Sequence, residues 1–231
     1  KSLHKLVREL GNISGIRWIR ILYCYPEEIT DELIQVMKEE PKVCHYLDLP
    51  IQHANDTILK RMGRRTTKQE LVNIVEKLRS EIPDICLRTT LITGFPGETK
   101  EQHKELLEFI NDMEFDRLGV FTYSPEEGTP AAAMEHQIDE EVKLDRQAEL
   151  MELQQDISAE LGERRIGQEL LVMIEGKVAD EDAYVGRSQA DAPGVDGYVF
   201  VNTPETLVSG DFVRVKITGA LEYDLIGEIS Q

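Results

Sequence analysis

The chain has 231 residues, 41% of them apolar, enough to bury two ordinary cores, and no apolar run nears the roughly 20 residues that cross a bilayer. Its formal charge is −18, from 44 acidic against 26 basic residues, which argues against the sequence-independent grip on phosphates that clustered Lys and Arg give. Three cysteines, Cys24, Cys44 and Cys86, lie 20 and 42 residues apart and match no metal-knuckle or cluster spacing. They are expected to be buried, apolar-lined thiols in a reducing cytoplasm, with no metal held by this chain.

In chain order, Leu3, Leu6, Val7 and Leu10 recur at helical spacing, with Gly11 as the stop. Four β-branched apolar runs follow, at 17–24, 45–52, 85–93 and 117–124, each leading into an amphipathic stretch. Thr30 is placed to cap a helix carrying Leu33, Val36 and Met37, which must end before Pro41. Asn55 opens a short helix that Gly63-Arg64-Arg65 breaks. Thr67 with Glu70, and Thr99 with Gln102, have the capping-box spacing that starts two longer helices. Residues 139–161 are charged and helix-prone, and predict one long linking helix. Beyond Ile166 the pattern changes to short runs with turn residues between, at 170–174, 183–187, 197–201, 211–217 and 221–229. These predict a small antiparallel barrel or sandwich.

The expected architecture is α/β: the last four βα units of a partial barrel over residues 1–162, then a small all-β domain over 163–231. Four parallel strands are too few to close a barrel. Either they form a small open sheet or further strands precede Lys1, and the missing initial Met fits a chain cut from something longer.

In a βα barrel, functional side chains converge at the C-terminal ends of the strands. There stand Gln52 and His53, then Arg88, Thr89 and Thr90, then Tyr123, Ser124, Glu126 and Glu127. His53, with no partner in the sequence, reads as a hydrogen-bonded rim residue. Arg88 inside an apolar strand needs an anion, either a neighbouring carboxylate or that of a ligand. Adjacent Glu126 and Glu127 read as a solvated loop and not as a glycosidase pair. Gly94-Phe95-Pro96-Gly97-Glu98 lacks the signature of a phosphate loop. It reads as a tight turn whose glycines let backbone approach the flat face of a ligand.

Taken together, several stretches resemble the radical SAM methylthiotransferases: 18–26 around Leu22-Tyr23-Cys24-Tyr25-Pro26; 46–54 around Leu49-Pro50-Ile51-Gln52-His53; Met62-Gly63-Arg64-Arg65; Leu87-Arg88-Thr89-Thr90 through Gly94-Phe95-Pro96-Gly97-Glu98-Thr99; and Tyr123-Ser124-Pro125-Glu126-Glu127-Gly128-Thr129-Pro130-Ala131. The terminal β region resembles the OB-like TRAM domain that ends those proteins. Within the superfamily the similarity is to the branch that modifies a small-subunit ribosomal protein, protein twelve. The tRNA-modifying branch usually has Arg-Pro where Glu126-Glu127 stand here.

The resemblance implies an enzyme that uses S-adenosylmethionine and two 4Fe-4S clusters to methylthiolate the β-carbon of an aspartate. It implies that Leu49, Gln52, Arg88, Thr90, Ile92, Gly94, Phe121 and Tyr123 line the cofactor, with Arg88 on its methionyl carboxylate. The three-cysteine cluster motif and the second cluster's domain are absent from this sequence. The polypeptide alone is therefore expected to bind no cluster and to be inactive, and no residue here is assigned a catalytic role. From Glu163 to Gln231 there are 13 acidic and 6 basic residues, a net of −7. Such a domain repels tRNA and favours a basic ribosomal protein. The competing readings are a tRNA methylthiotransferase, a non-enzymatic binding module centred on the β domain, and a carboxylate-dependent barrel hydrolase.

Overall fold

The computed structural model describes residues 2–230. Four parallel strands, β1 (Ile19–Ile21), β2 (Val43–Gln52), β3 (Cys86–Thr93) and β4 (Arg117–Thr122), form a sheet in that order. Six helices accompany them: α1 (Leu3–Gly11), α2 (Asp31–Glu39), α3 (Asp56–Arg61), α4 (Lys68–Glu81), α5 (Lys100–Met113) and α6 (Glu140–Glu163). Among the described residues no helix is long and apolar enough to cross a membrane.

The helix starts follow from local chemistry. The Thr30 hydroxyl accepts the Leu33 amide, and Asn55 Oδ1 accepts those of Thr57 and Ile58. Full capping boxes join Thr67 to Glu70 and Thr99 to Gln102. Each satisfies amides that would otherwise have no intrahelical partner, a contribution of about 1 kcal/mol per cap. Helix α5 ends on Glu114 in a left-handed conformation (φ 43°), where Arg79 donates to the carbonyls of Met113 and Glu114 at 2.6 and 2.7 Å.

One sheet face carries Leu47, Leu49, Leu87, Leu91 and Val120, and these pack under the helices against Leu33, Val75, Leu78, Leu106 and Ile110. Because strand side chains alternate, Asp48, Arg88, Thr90 and Ile92 fall on the other, inner face. The outer margin of β4 is covered by α6. Lys143, Gln147 and Gln154 donate to the carbonyls of Tyr123, Val120 and Phe115 at 2.9, 2.6 and 2.8 Å. Strand β1 is shorter than the predicted run, because Tyr23 leaves the extended region at φ 56°.

The second core belongs to a closed barrel of five strands, β5 (Glu169–Lys177), β6 (Ala183–Ser188), β7 (Val199–Asn202), β8 (Phe212–Ala220) and β9 (Leu225–Ile229), ordered β5-β6-β7-β9-β8. Val172, Ile174, Val199, Val201, Val215 and Ile217 fill it. The expected antiparallel barrel holds except between β7 and β9, which pair in parallel. Five strands cannot close a ring with every neighbour antiparallel, so an odd count forces one such pair.

Candidate functional site

Strand register builds the inner face in rows. Asp48 of β2, Arg88 of β3 and Arg117 of β4 are lateral neighbours. Towards the strand ends, Thr90 pairs with Gly119, and Ile92 with Phe121. Arg88 Nη1 donates to Asp48 Oδ1 at 2.9 Å and to Thr90 Oγ1 at 3.2 Å. The other oxygen of Asp48 accepts the amide of Tyr23 at 3.3 Å. That contact holds Tyr23 in a left-handed conformation costly for a bulky residue, with its ring 82% exposed beside the strand ends. Gln52, at the end of β2, is left-handed too (φ 72°). Two such residues at adjacent strand termini mark this end as strained.

The opposite end of the inner face is floored by the β6–β7 connection of the small barrel. Asp191 pairs with Arg117 at 2.7 Å, and Asp196 with Arg88 at 3.4 Å. Arg20 donates to the carbonyls of Ser188 and Gln189, and the Tyr46 hydroxyl to Asp196 at 2.8 Å. The Cys86 thiol donates to the Ala190 carbonyl at 3.3 Å. Trp18 stacks edge-on against Phe212, ring centroids 4.8 Å apart, with the Arg187 guanidinium 5.7 Å away. Arg88 thus pairs with Asp48 and Asp196, and Arg117 with Asp191, while Arg20 is held by backbone carbonyls.

Of the residues expected to line a cofactor, Gln52, Arg88, Thr90, Ile92 and Phe121 stand along this face. Phe121 is 60% exposed, an aromatic ring with apolar surface to cover. Tyr123 adjoins Ile92 in a small cluster with Ile58 and Phe95, its ring edge-on to Phe95. The Leu49 side chain lies on the helix side of the sheet, so only its backbone meets the inner face. Gly94 has φ 72°, and a Cβ there would meet Lys143 Cγ at 2.3 Å, while its amide is taken by Glu98. Gly97 likewise makes room for Arg61. On the side where a Cβ would stand, these two glycines admit the side chains of two cations.

Glu98 is fully buried and organises that turn. Its carboxylate accepts from Gly94 and Phe95 amides at 2.6 and 3.2 Å and from Arg146 at 3.0 Å. Burial pushes its pKa up, against the pull of Arg146. His53 is no rim residue. It is fully buried, with Nδ1 accepting the Asn55 amide at 2.9 Å and Nε2 without a hydrogen-bond partner among the described residues. Burial lowers its pKa to about 3, so the ring is neutral. Glu126 and Glu127 are solvent-exposed, as expected of a loop.

Asp48, Asp191 and Asp196 were not singled out from the sequence. Asp48 had a signal, a lone acid in an apolar strand matching the lone Arg88 in the next. The two barrel aspartates had none, because their partners are roughly 75 to 110 residues away.

Cys24 lies in the helix-side core, whereas Cys44 and Cys86 pack around Tyr46 on the inner face. Burial raises the pKa of both inner thiols. Among the described residues no group of three or more His, Cys, Asp or Glu is arranged to hold a metal ion, so these residues do not fit an iron–sulfur cluster. The polar row ending in exposed aromatic surface does fit a zwitterionic nucleoside.

Residues 2–110 match the radical SAM superfamily and residues 166–229 the TRAM domain. The protein named ribosomal protein uS12 methylthiotransferase RimO from Lachnoclostridium phytofermentans is 62% identical over 98% of this chain and 52% of its own length. Its namesake from Desulfitobacterium hafniense is 56% identical over 99% of this chain and 51% of its own length. That from Clostridium botulinum is 52% identical over the same shares. The chain thus spans about half the length of the curated relatives it matches. With near-complete coverage of its own residues at that identity, and both domain types matched, the chain is similar throughout to part of the RimO proteins, radical SAM methylthiotransferases by name and domain content.

Proposed function

We propose that this chain is the C-terminal part of a cytoplasmic enzyme that methylthiolates the β-carbon of an aspartate in ribosomal protein uS12. Both 4Fe-4S clusters would be held by residues outside this chain. The reading is carried by one coincidence: a chain related throughout to RimO proteins presents Arg88, Thr90, Ile92 and Phe121 in register on one open face. One molecule of S-adenosylmethionine bound there would supply hydrogen abstraction, and a second molecule would supply the methyl group.

Each side chain has a distinct task. Arg88 spends Nη1 and Nε on carboxylates, and Nη2, which makes no hydrogen bond among the described residues, is left for the methionyl carboxylate. Gln52 and the Leu49–Pro50 backbone border the ligand from β2. Thr90 lies opposite Gly119, which has no side chain to obstruct it. Ile92, Phe121 and Tyr123 give apolar cover to the adenosine, and Gly94 with Glu98 fixes the turn behind it. Asp180, Glu181, Asp182, Glu205, Glu222 and Glu228 are exposed on the β domain, a negative surface that would attract a Lys/Arg-rich protein and repel tRNA.

The test is to incubate the full-length, cluster-loaded protein with S-adenosylmethionine and either uS12 or tRNA, and to map the modification by mass spectrometry. A methylthio group on an aspartate of uS12 is expected. Modification of tRNA, or of neither, overturns the reading.

A further inference from the structure

We infer that Asp196, contributed by the small β barrel, is a positioning residue for the cofactor face of the sheet. This rests on the reading of Arg88 above. Asp196 divides its two oxygens between different tasks. Oδ2 accepts from the Tyr46 hydroxyl of β2 and from the Ala192 amide of its own loop, both at 2.8 Å, and these bonds fix the carboxylate between sheet and loop. Oδ1 faces Arg88 Nε at 3.4 Å. The side chain of Asp196 is 2% exposed and that of Arg88 17%, so water does little to screen the pair.

The guanidinium is planar, and holding two of its nitrogens fixes the direction of the third. Asp48 takes Nη1 and Asp196 takes Nε. Between them they orient Nη2 towards Gly119, where a built Cβ would make ordinary contact with it at 3.7 Å. Without Asp196 the group would be held only at Nη1, by Asp48 and Thr90, and could pivot about that one nitrogen. The strand ends are tied to the same relay, since Asp48 also holds the Tyr23 amide. The small barrel is in this way part of the cofactor site's support, 108 residues along the chain from Arg88.

Asp196→Asn tests this cleanly. The asparagine oxygen can keep the bonds from Tyr46 and Ala192, while its NH2 replaces only the oxygen that faces Arg88. Asp191→Asn is the control, because it weakens the neighbouring pair with Arg117 and does not touch Arg88. In the full-length protein, equilibrium dialysis should show Asp196→Asn raising the Kd for S-adenosylmethionine about five- to tenfold, the scale of one lost charge contact. Asp191→Asn should leave that Kd within about twofold, and hydrogen exchange over residues 188–198 should stay unchanged in Asp196→Asn.

An unaltered Kd in Asp196→Asn overturns the inference. So does weaker binding accompanied by faster exchange across that loop, which would make Asp196 a fold residue only. A wild-type protein that binds no S-adenosylmethionine would bring down the functional reading and this one together, whereas a binding wild type with an unaffected variant removes this one alone.

Discussion

Arg146 of α6 meets Glu98 at 3.0 Å in a space closed to solvent, and the same carboxylate accepts the amides of Gly94 and Phe95. One ion pair thus fastens the last helix of the sheet layer to the turn after β3. Removing the acid leaves Arg146 charged without its partner and two amides without an acceptor. Glu98→Ala should destabilise the fold by about 3–5 kcal/mol, read from the urea midpoint.

His53 gives the chain a pH-dependent stability of calculable sign. Glu105 favours its charged form, whereas burial, His103 and Arg146 oppose it, with burial the largest effect. The folded pKa of about 3 lies below the unfolded value near 6.5, so between those limits the unfolded chain holds the extra proton. Stability from this group is complete above about pH 6.5 and is lost on acidification towards pH 3, by up to about 1.4 kcal/mol per pH unit. His53→Leu should remove that component of the slope in chemical unfolding measured from pH 4 to 7.

Asp191 also accepts the Ser188 amide and hydroxyl, so its loss unpins the β6–β7 connection as well as Arg117. Asp191→Ala should cost about 2–3 kcal/mol, somewhat below a fully buried pair because Arg117 keeps 18% of its side chain in contact with water. Trp18, the chain's only tryptophan, lies in this interface and reports on it through its emission.

Gly94 tolerates no side chain. Gly94→Ala combines a left-handed backbone with a collision at Lys143 Cγ, and a loss of about 2–4 kcal/mol is expected by thermal or urea unfolding. By contrast, Glu126→Gln and Glu127→Gln should shift stability by no more than about 0.5 kcal/mol and leave turnover intact. Activity abolished by either would favour carboxylate chemistry at that loop.

What the sequence disclosed was local. Thr67 with Glu70 and Thr99 with Gln102 are patterns within a few residues, and the structure reproduces them. The solvent status of Glu126 and Glu127 was legible for the same reason. What stayed hidden depends on distant chain segments meeting. The packing of Lys143 against Gly94 could not be read, because the two lie 49 residues apart. His53 read as a rim group because nothing nearby in sequence says that α5 and α6 enclose it. Arg88 left two kinds of anion open, and the fold provides two carboxylates while sparing one nitrogen.

Helix α6 has a consequence for how this sheet can grow. With α6 lying along β4 and Lys143, Gln147 and Gln154 taking carbonyls just after, within and just before it, a newcomer strand finds that flank already sealed. Extension is one-directional: any additional strand, from this polypeptide or from another molecule, must dock alongside β1, which makes that three-residue margin the place where correct completion and unwanted self-association compete.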